Sequence, residues 1–150
     1  MKTLFNPPMA AAIRERMARV RPDTHPRWGR MNAAQMVCHL TDSFRVALGE
    51  VPVAFKPNPL TFYPLRWLLV YVLPTPKGKI PTTPEFQLTK PADWQADLQA
   101  WNDACDRFIQ RGGSADSEWG VHPAFGHLSA REWGRLTHLH FNHHLTQFGV

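Results

Sequence analysis

The chain has 150 residues, a formal net charge of +5, 43% hydrophobic residues and 19% charged ones; this is the balance of one globular domain, and it excludes a disordered tail or a fibrous repeat. Two cysteines, Cys38 and Cys105, are too few for a disulfide framework and are expected as free, buried thiols. The N-terminal MKTLFNPPMAAAIRERM has no unbroken apolar run, so no secretory signal is expected and the expected location is cytoplasmic.

The charge is lopsided. Residues 1–90 hold 13 Lys/Arg against 5 Asp/Glu, and residues 91–150 hold 4 against 7. A basic half can signal nucleic acid or an acidic membrane surface. Here Arg14, Arg16, Arg19, Arg21, Arg27 and Arg30 are spread along one helix and its loop with no aromatic–basic recognition motif beside them. They read as a solvated face, and no nucleic-acid partner is expected.

In chain order, Asn6-Pro7-Pro8 supplies a cap and prolines suited to a first helical turn. Met9, Ile13, Met17 and Val20 recur at helical spacing until Pro22. A second helix starts at Asn32 with Gln35 as its capping-box partner and runs through Met36, Leu40, Phe44 and Ala47 to Gly49. A third carries the stripe Trp94, Leu98, Trp101, Cys105, Phe108 and ends at Gly112-Gly113. The fourth opens at Ser129 with Glu132 three residues on, and carries the histidines.

About 40 proline-rich residues, 50–90, separate the second and third of these helices. A connection that long lets them run parallel, as in bundles with an overhead crossover. Within it LTFYPLRWLLVYVL (60–73) is shorter than the roughly 20 residues of a membrane span and is interrupted by Pro64 and Arg66, so no transmembrane span is expected. A short helix covering the core or a pocket is the preferred reading. The alternative leaves Phe62, Trp67, Leu68 and Tyr71 exposed for a partner, a second copy in a homodimer, or a membrane surface. Lys77-Gly78-Lys79 lacks the upstream glycine and following Ser/Thr of a phosphate-binding loop.

HLHFNHHLTQ (138–147) packs four of eight histidines near the C-terminus. On a wheel of about 100° per residue, His140, His143, His144 and Gln147 share the side of Trp133 and Leu136. His138 falls opposite, with Arg131, Arg135 and Asn142, and reads as a solvent residue. His140 and His144, one turn apart, can converge on one ion. Buried imidazoles need a partner; a divalent cation, carboxylates, backbone carbonyls or water could each serve. His39, on the edge of the apolar face of the second helix, is the obvious third donor. Asp42, one turn on, could orient an imidazole or act as a base, and a plain solvent-facing carboxylate fits as well. His25, His122 and His127 fall in loops and give no spacing argument. His122-Pro123 and Phe125-Gly126 read as shaping the approach to the fourth helix.

RWGRMNAAQMVCHL (27–40), PKGKIPTTPEF (76–86), HPAFGHLSAREW (122–133) and HLHFNHHLTQFG (138–149) together resemble an uncharacterised branch of the DinB-like superfamily. The resemblance implies an all-α, four-helix bundle with an up-down-down-up course and a long crossover between helices two and three. It also implies a three-histidine centre matching His39, His140 and His144, with His143 and Gln147 supporting the ligands. Some relatives are thiol-dependent transferases using a low-molecular-weight thiol and zinc, nickel or a related ion such as iron or manganese.

Two functions follow as expectations. One is a metal-dependent enzyme acting on a small-molecule substrate, since three neutral histidines leave a coordination position open for water or a thiol. Its reaction would be thiol transfer or hydrolysis, with no catalytic residue assigned. The other is a non-catalytic metal-binding or partner-binding domain.

Overall fold

The computed structural model describes residues 2–55, 57–71, 83–114 and 118–150. Among them the protein is mostly helical, with five helices and one small hairpin. Helix α1 spans Pro7–Arg19, α2 Ala33–Ala47, α3 Leu65–Tyr71, α4 Trp94–Gly112 and α5 Ala130–Gln147. Strands β1 (Val121–His122) and β2 (Gly126–His127) pair antiparallel just before α5.

Local chemistry sets the helix starts. Asn32 and Gln35 form a reciprocal capping box at α2, and Ser129 and Glu132 form another at α5. The Asp93 carboxylate accepts from the Ala96 N–H at the start of α4. At α1 the prolines occupy the first turn as expected, but the Asn6 side chain makes no capping bond.

Helix α2 is the centre of the molecule. It packs against α4, α5, β1 and the short 3-10 turn Pro84–Phe86. Most of its residues are therefore buried, polar ones included. Phe44 is the hub, its ring lying 4.6 Å from Phe141, 5.1 Å from Phe108 and 6.1 Å from Trp101. Helix α1 closes the other side of α5 with Ala10, Ile13 and Met17. A central helix buried on most of its circumference can carry a histidine inward only if that histidine finds partners there.

Three expectations change. The arginines of α1 are not all solvated: Arg14 binds Asn102 and Asp106 on α4, and Arg16 binds Asn142, Thr146 and the Val150 carbonyl at the end of α5. The apolar crossover segment does form a short helix, α3, with Val70 buried. Yet Phe62, Tyr63, Leu65 and Trp67 remain exposed instead of covering the core. His138 is buried at 8% exposure, because α5 is packed by α2 on one face and by α1 and the N-terminal residues on the other. No helix among the described residues is long and apolar enough to cross a membrane. Lys77-Gly78-Lys79, residues 72–73 and most of the 76–86 stretch lie outside the described residues.

Candidate metal centre

His39 on α2 and His140 and His144 on α5 meet at one point. Nε2 of His140 lies 2.9 Å from Nε2 of His39 and 3.1 Å from Nε2 of His144, and the candidate ligand atoms of the three residues all fall within 4.8 Å of one another. Two neighbouring nitrogens on a tetrahedral zinc at ordinary bond lengths sit about 3.3 Å apart, so the cluster has the size of a coordination shell. The i, i+4 spacing on α5 supplies one edge and the packing of α2 against α5 the others.

The far side of each ring decides where its lone pair points. Nδ1 of His39 is 2.9 Å from the Phe86 carbonyl, which can only accept, so Nδ1 carries the hydrogen and Nε2 the lone pair. Nδ1 of His144 is 2.8 Å from Oε1 of Gln147. The Gln147 amide cannot be turned over, because its Nε2 donates to the Trp28 carbonyl at 2.6 Å. His144 therefore also donates outward and points a lone pair inward. His140 directs Nδ1 toward Ser43 Oγ at 3.5 Å, whose own hydrogen goes to the His39 carbonyl at 2.9 Å.

Two fixed lone pairs face His140 Nε2, which can offer at most one hydrogen. One contact among the three nitrogens is thus lone pair against lone pair, unless a cation lies between them. A divalent cation fits this donor set: neutral imidazoles, orientated by hydrogen bonds on their outer nitrogens, are the usual arrangement around zinc and its neighbours.

The electrostatics agree. Burial first, then the His39 ring, pushes His144 down to about 3. Burial followed by His144 and His39 holds His140 well below the usual histidine range, and burial lowers His39 against the raising influence of the Phe86 carbonyl and Asp42. The three rings are neutral at physiological pH, the state that binds a metal. His140 and His144 each keep part of their surface exposed, whereas His39 is buried.

Of the supporting residues expected, Gln147 bonds a ring of the cluster directly. His143 stands edge-on to His144 and to Trp28, at centroid distances of 5.2 and 5.9 Å. Asp42 is neither solvent-facing nor on the His39 ring. It is fully buried, accepting from the Thr89 N–H at 2.8 Å and Thr89 Oγ1 at 2.6 Å and pairing with Arg45 at 3.2 Å. It acts at one remove, pinning the loop whose Phe86 carbonyl orientates His39.

Phe86, Trp28 and Ser43 were not identifiable as partners, since two of them act through backbone carbonyls in loops. Gly29 belongs with them: its φ of +83° is open to glycine, and a Cβ there would lie 2.7 Å from Gln147 Nε2. His122 stays apart from the cluster, its Nδ1 accepting from the Ala124 and Phe125 N–H groups at 3.0 and 3.2 Å. Cys38 and Cys105 are free and buried, and burial raises both thiols to about 11, away from nucleophilic use.

Residues 8–149 match the family described as "Protein of unknown function (DUF1569)". The chain belongs to the DUF1569 family. Comparisons with curated proteins and with solved structures found no match. The match runs from the second residue of α1 through the end of α5 in this DUF1569 chain and includes all three clustered histidines.

Proposed function

We propose that this protein is a metal-dependent enzyme that holds one divalent cation, zinc or nickel in first place and iron or manganese next, on His39, His140 and His144. The observation that carries the reading is the outward commitment of the Nδ1 atoms of His39 and His144, which leaves lone pairs converging on one point. A cation bound by three neutral histidines keeps a position free for a water or a thiol and lowers its pKa, supplying a nucleophile at neutral pH.

The protein's own part is positional. Phe86 and Gln147 hold two rings in the metal-binding tautomer, Asp42 fixes the loop that carries Phe86, and His143 packs against His144. The DinB-like resemblance supports a crossed, up-down-down-up arrangement of α1, α2, α4 and α5 in a single domain. It also places thiol transfer ahead of hydrolysis, with a low-molecular-weight thiol and a small electrophile as substrates. In that reaction the thiol sulfur forms a bond to the electrophilic carbon, the thiol proton is released, and the displaced group leaves with its electron pair.

The test is metal content and zinc affinity of protein purified without a nickel resin, followed by conjugation assays with small thiols. One zinc per chain and turnover that requires both metal and thiol are expected. Absence of stoichiometric zinc binding would remove the centre, and turnover indifferent to a chelator would remove the enzyme reading.

A second reading rests on Phe62, Tyr63, Leu65 and Trp67, an exposed apolar patch of the kind that marks contact surfaces. It makes the protein a metal-stabilised binding domain that covers this patch with a partner, a second copy or a membrane surface. Concentration-dependent sedimentation and vesicle co-sedimentation of Trp67→Ser against the parent protein test it.

A further inference from the structure

A cleft of about 300 Å³ opens beside the cluster, with His39 and Phe86 in its wall and Arg30, Gln35, Thr89 and Lys90 among the polar groups around it. Its charge is one-sided. Arg30 and Lys90 are exposed, and neither has a hydrogen-bond or ion-pair partner among the described residues. Gln35 uses its Oε1 in the capping box, accepting from the Asn32 N–H at 2.9 Å, which leaves its NH2 as the end able to act on a ligand. Thr89 Oγ1 is already spent, donating to Asp42 and accepting from Arg45. No carboxylate of the described residues lines the cleft. Arg30, Lys90 and Gln35 thus offer a ligand a guanidinium, an ammonium and an amide NH2, while the Gln87 amide, also on the wall, carries both a donor and an acceptor end. The first turn of the 15-residue helix α2 adds the positive end of its dipole on the same side.

We propose that this cleft seats an anionic small molecule, bearing a carboxylate or a phosphate, with Arg30 and Lys90 holding its negative charge and the His39 side of the histidine cluster beside its reacting end. The inference deepens the metal-enzyme reading, on which the role of the cleft as a substrate site rests; anion binding by Arg30 and Lys90 does not itself need the cation. Two cations and no carboxylate select against positively charged and neutral ligands of the same size.

Succinate, inorganic phosphate and uncharged succinamide, titrated calorimetrically into the full chain with and without one equivalent of zinc, test this alongside Arg30→Gln, Lys90→Gln and the double variant. Both side chains are exposed, and thermal melts of the variants check that the fold is intact. At least one of the two anions is expected to bind the parent protein at millimolar concentration where succinamide does not. Which of them binds separates a carboxylate site from a phosphate site. Each single variant should weaken binding by about threefold and the double variant by roughly tenfold. Anions that bind no better than succinamide, or that bind the double variant as well as the parent, would overturn the inference. Tight zinc binding with anion affinity indifferent to Arg30 and Lys90 sinks the cleft and spares the metal centre. Anion binding lost in the double variant of a chain that takes up no zinc does the reverse.

Discussion

His122 and the cluster of His39, His140 and His144 are two places where burial disfavours charge on an imidazole, and they are opposites. Burial pushes His122 to about 3, the same value as His144. At His122 the lone pair is used: Nδ1 accepts from two backbone N–H groups, and the ring sits among Phe86, Phe125 and Trp133. In the cluster the outer nitrogens of His39 and His144 donate away and the inner ones face each other. Burial and a depressed pKa therefore do not separate a ligand from a structural histidine. The direction of the lone pair does.

The sharpest way to break this contrast is to remove one histidine from each place. Replacing His39, His140 or His144 by alanine should abolish one-to-one zinc binding measured by calorimetry, since each supplies a third of the donor set. His122→Asn retains an acceptor close to the Nδ1 position and should leave zinc affinity within about threefold, as expected for a residue outside the ligands and their hydrogen-bond partners. Equal loss of zinc in His122→Asn and His140→Ala would erase the distinction.

Weakening the outer bonds should give a smaller, graded effect. Gln147→Leu removes the acceptor that fixes His144, and Gly29→Ala drives a methyl into the Gln147 amide at a backbone angle that alanine resists. Each should lower zinc affinity roughly 10- to 100-fold, the usual consequence of losing a hydrogen bond to a ligand. Competition with a chelator of known affinity measures it, and unchanged affinity in both variants would mean that the tautomer of His144 is set by something else.

How far the sequence led can be seen in these residues. The i, i+4 pair on α5 and the capping boxes at Asn32–Gln35 and Ser129–Glu132 are local patterns, and local patterns survive in a string of letters. His39 was reachable because the edge of an amphipathic face is also a local property. The carbonyls of Phe86 and Trp28 were not reachable, because any residue has a carbonyl and only the tertiary path of two loops brings these to the rings. The burial of Asp42, which removes the solvent-facing alternative, was hidden for a related reason, its partner Thr89 lying 47 positions away. His138 failed differently: a wheel assigns a helix one buried face, and α5 has two.

Acid should reveal the buried rings as a group. Well above pH 6.5 His122 is neutral whether folded or not and contributes no pH dependence. Below 6.5 the unfolded chain takes up a proton that the folded one refuses until about pH 3. Stability therefore falls as pH drops through this window, by at most about 1.4 kcal/mol per pH unit from this ring. His122→Asn should be less stable than the parent near neutrality, having lost ring packing, but show a shallower decline between pH 6 and 4 in denaturant titrations (a window set by those two values). Parallel declines in the two proteins would assign the acid sensitivity to groups other than His122.

The smallest expected change comes from His138, a buried histidine that belongs to neither place. His138 is 8% exposed and its Nδ1 has no hydrogen-bond partner among the described residues. Burial lowers its pKa, and Arg135, Lys2 and Arg16 lower it further, so the ring gains nothing by charging. A buried polar atom left unpaired costs about 1–3 kcal/mol, whereas leucine fills a similar volume without that penalty. His138→Leu should therefore raise stability by about 1 kcal/mol and leave zinc affinity unchanged, since the side chain lies on the face of α5 turned toward α1. A loss of stability in the denaturation midpoint would show that Nδ1 is satisfied in solution by a bound water, and that this second buried face of α5 is polar by construction.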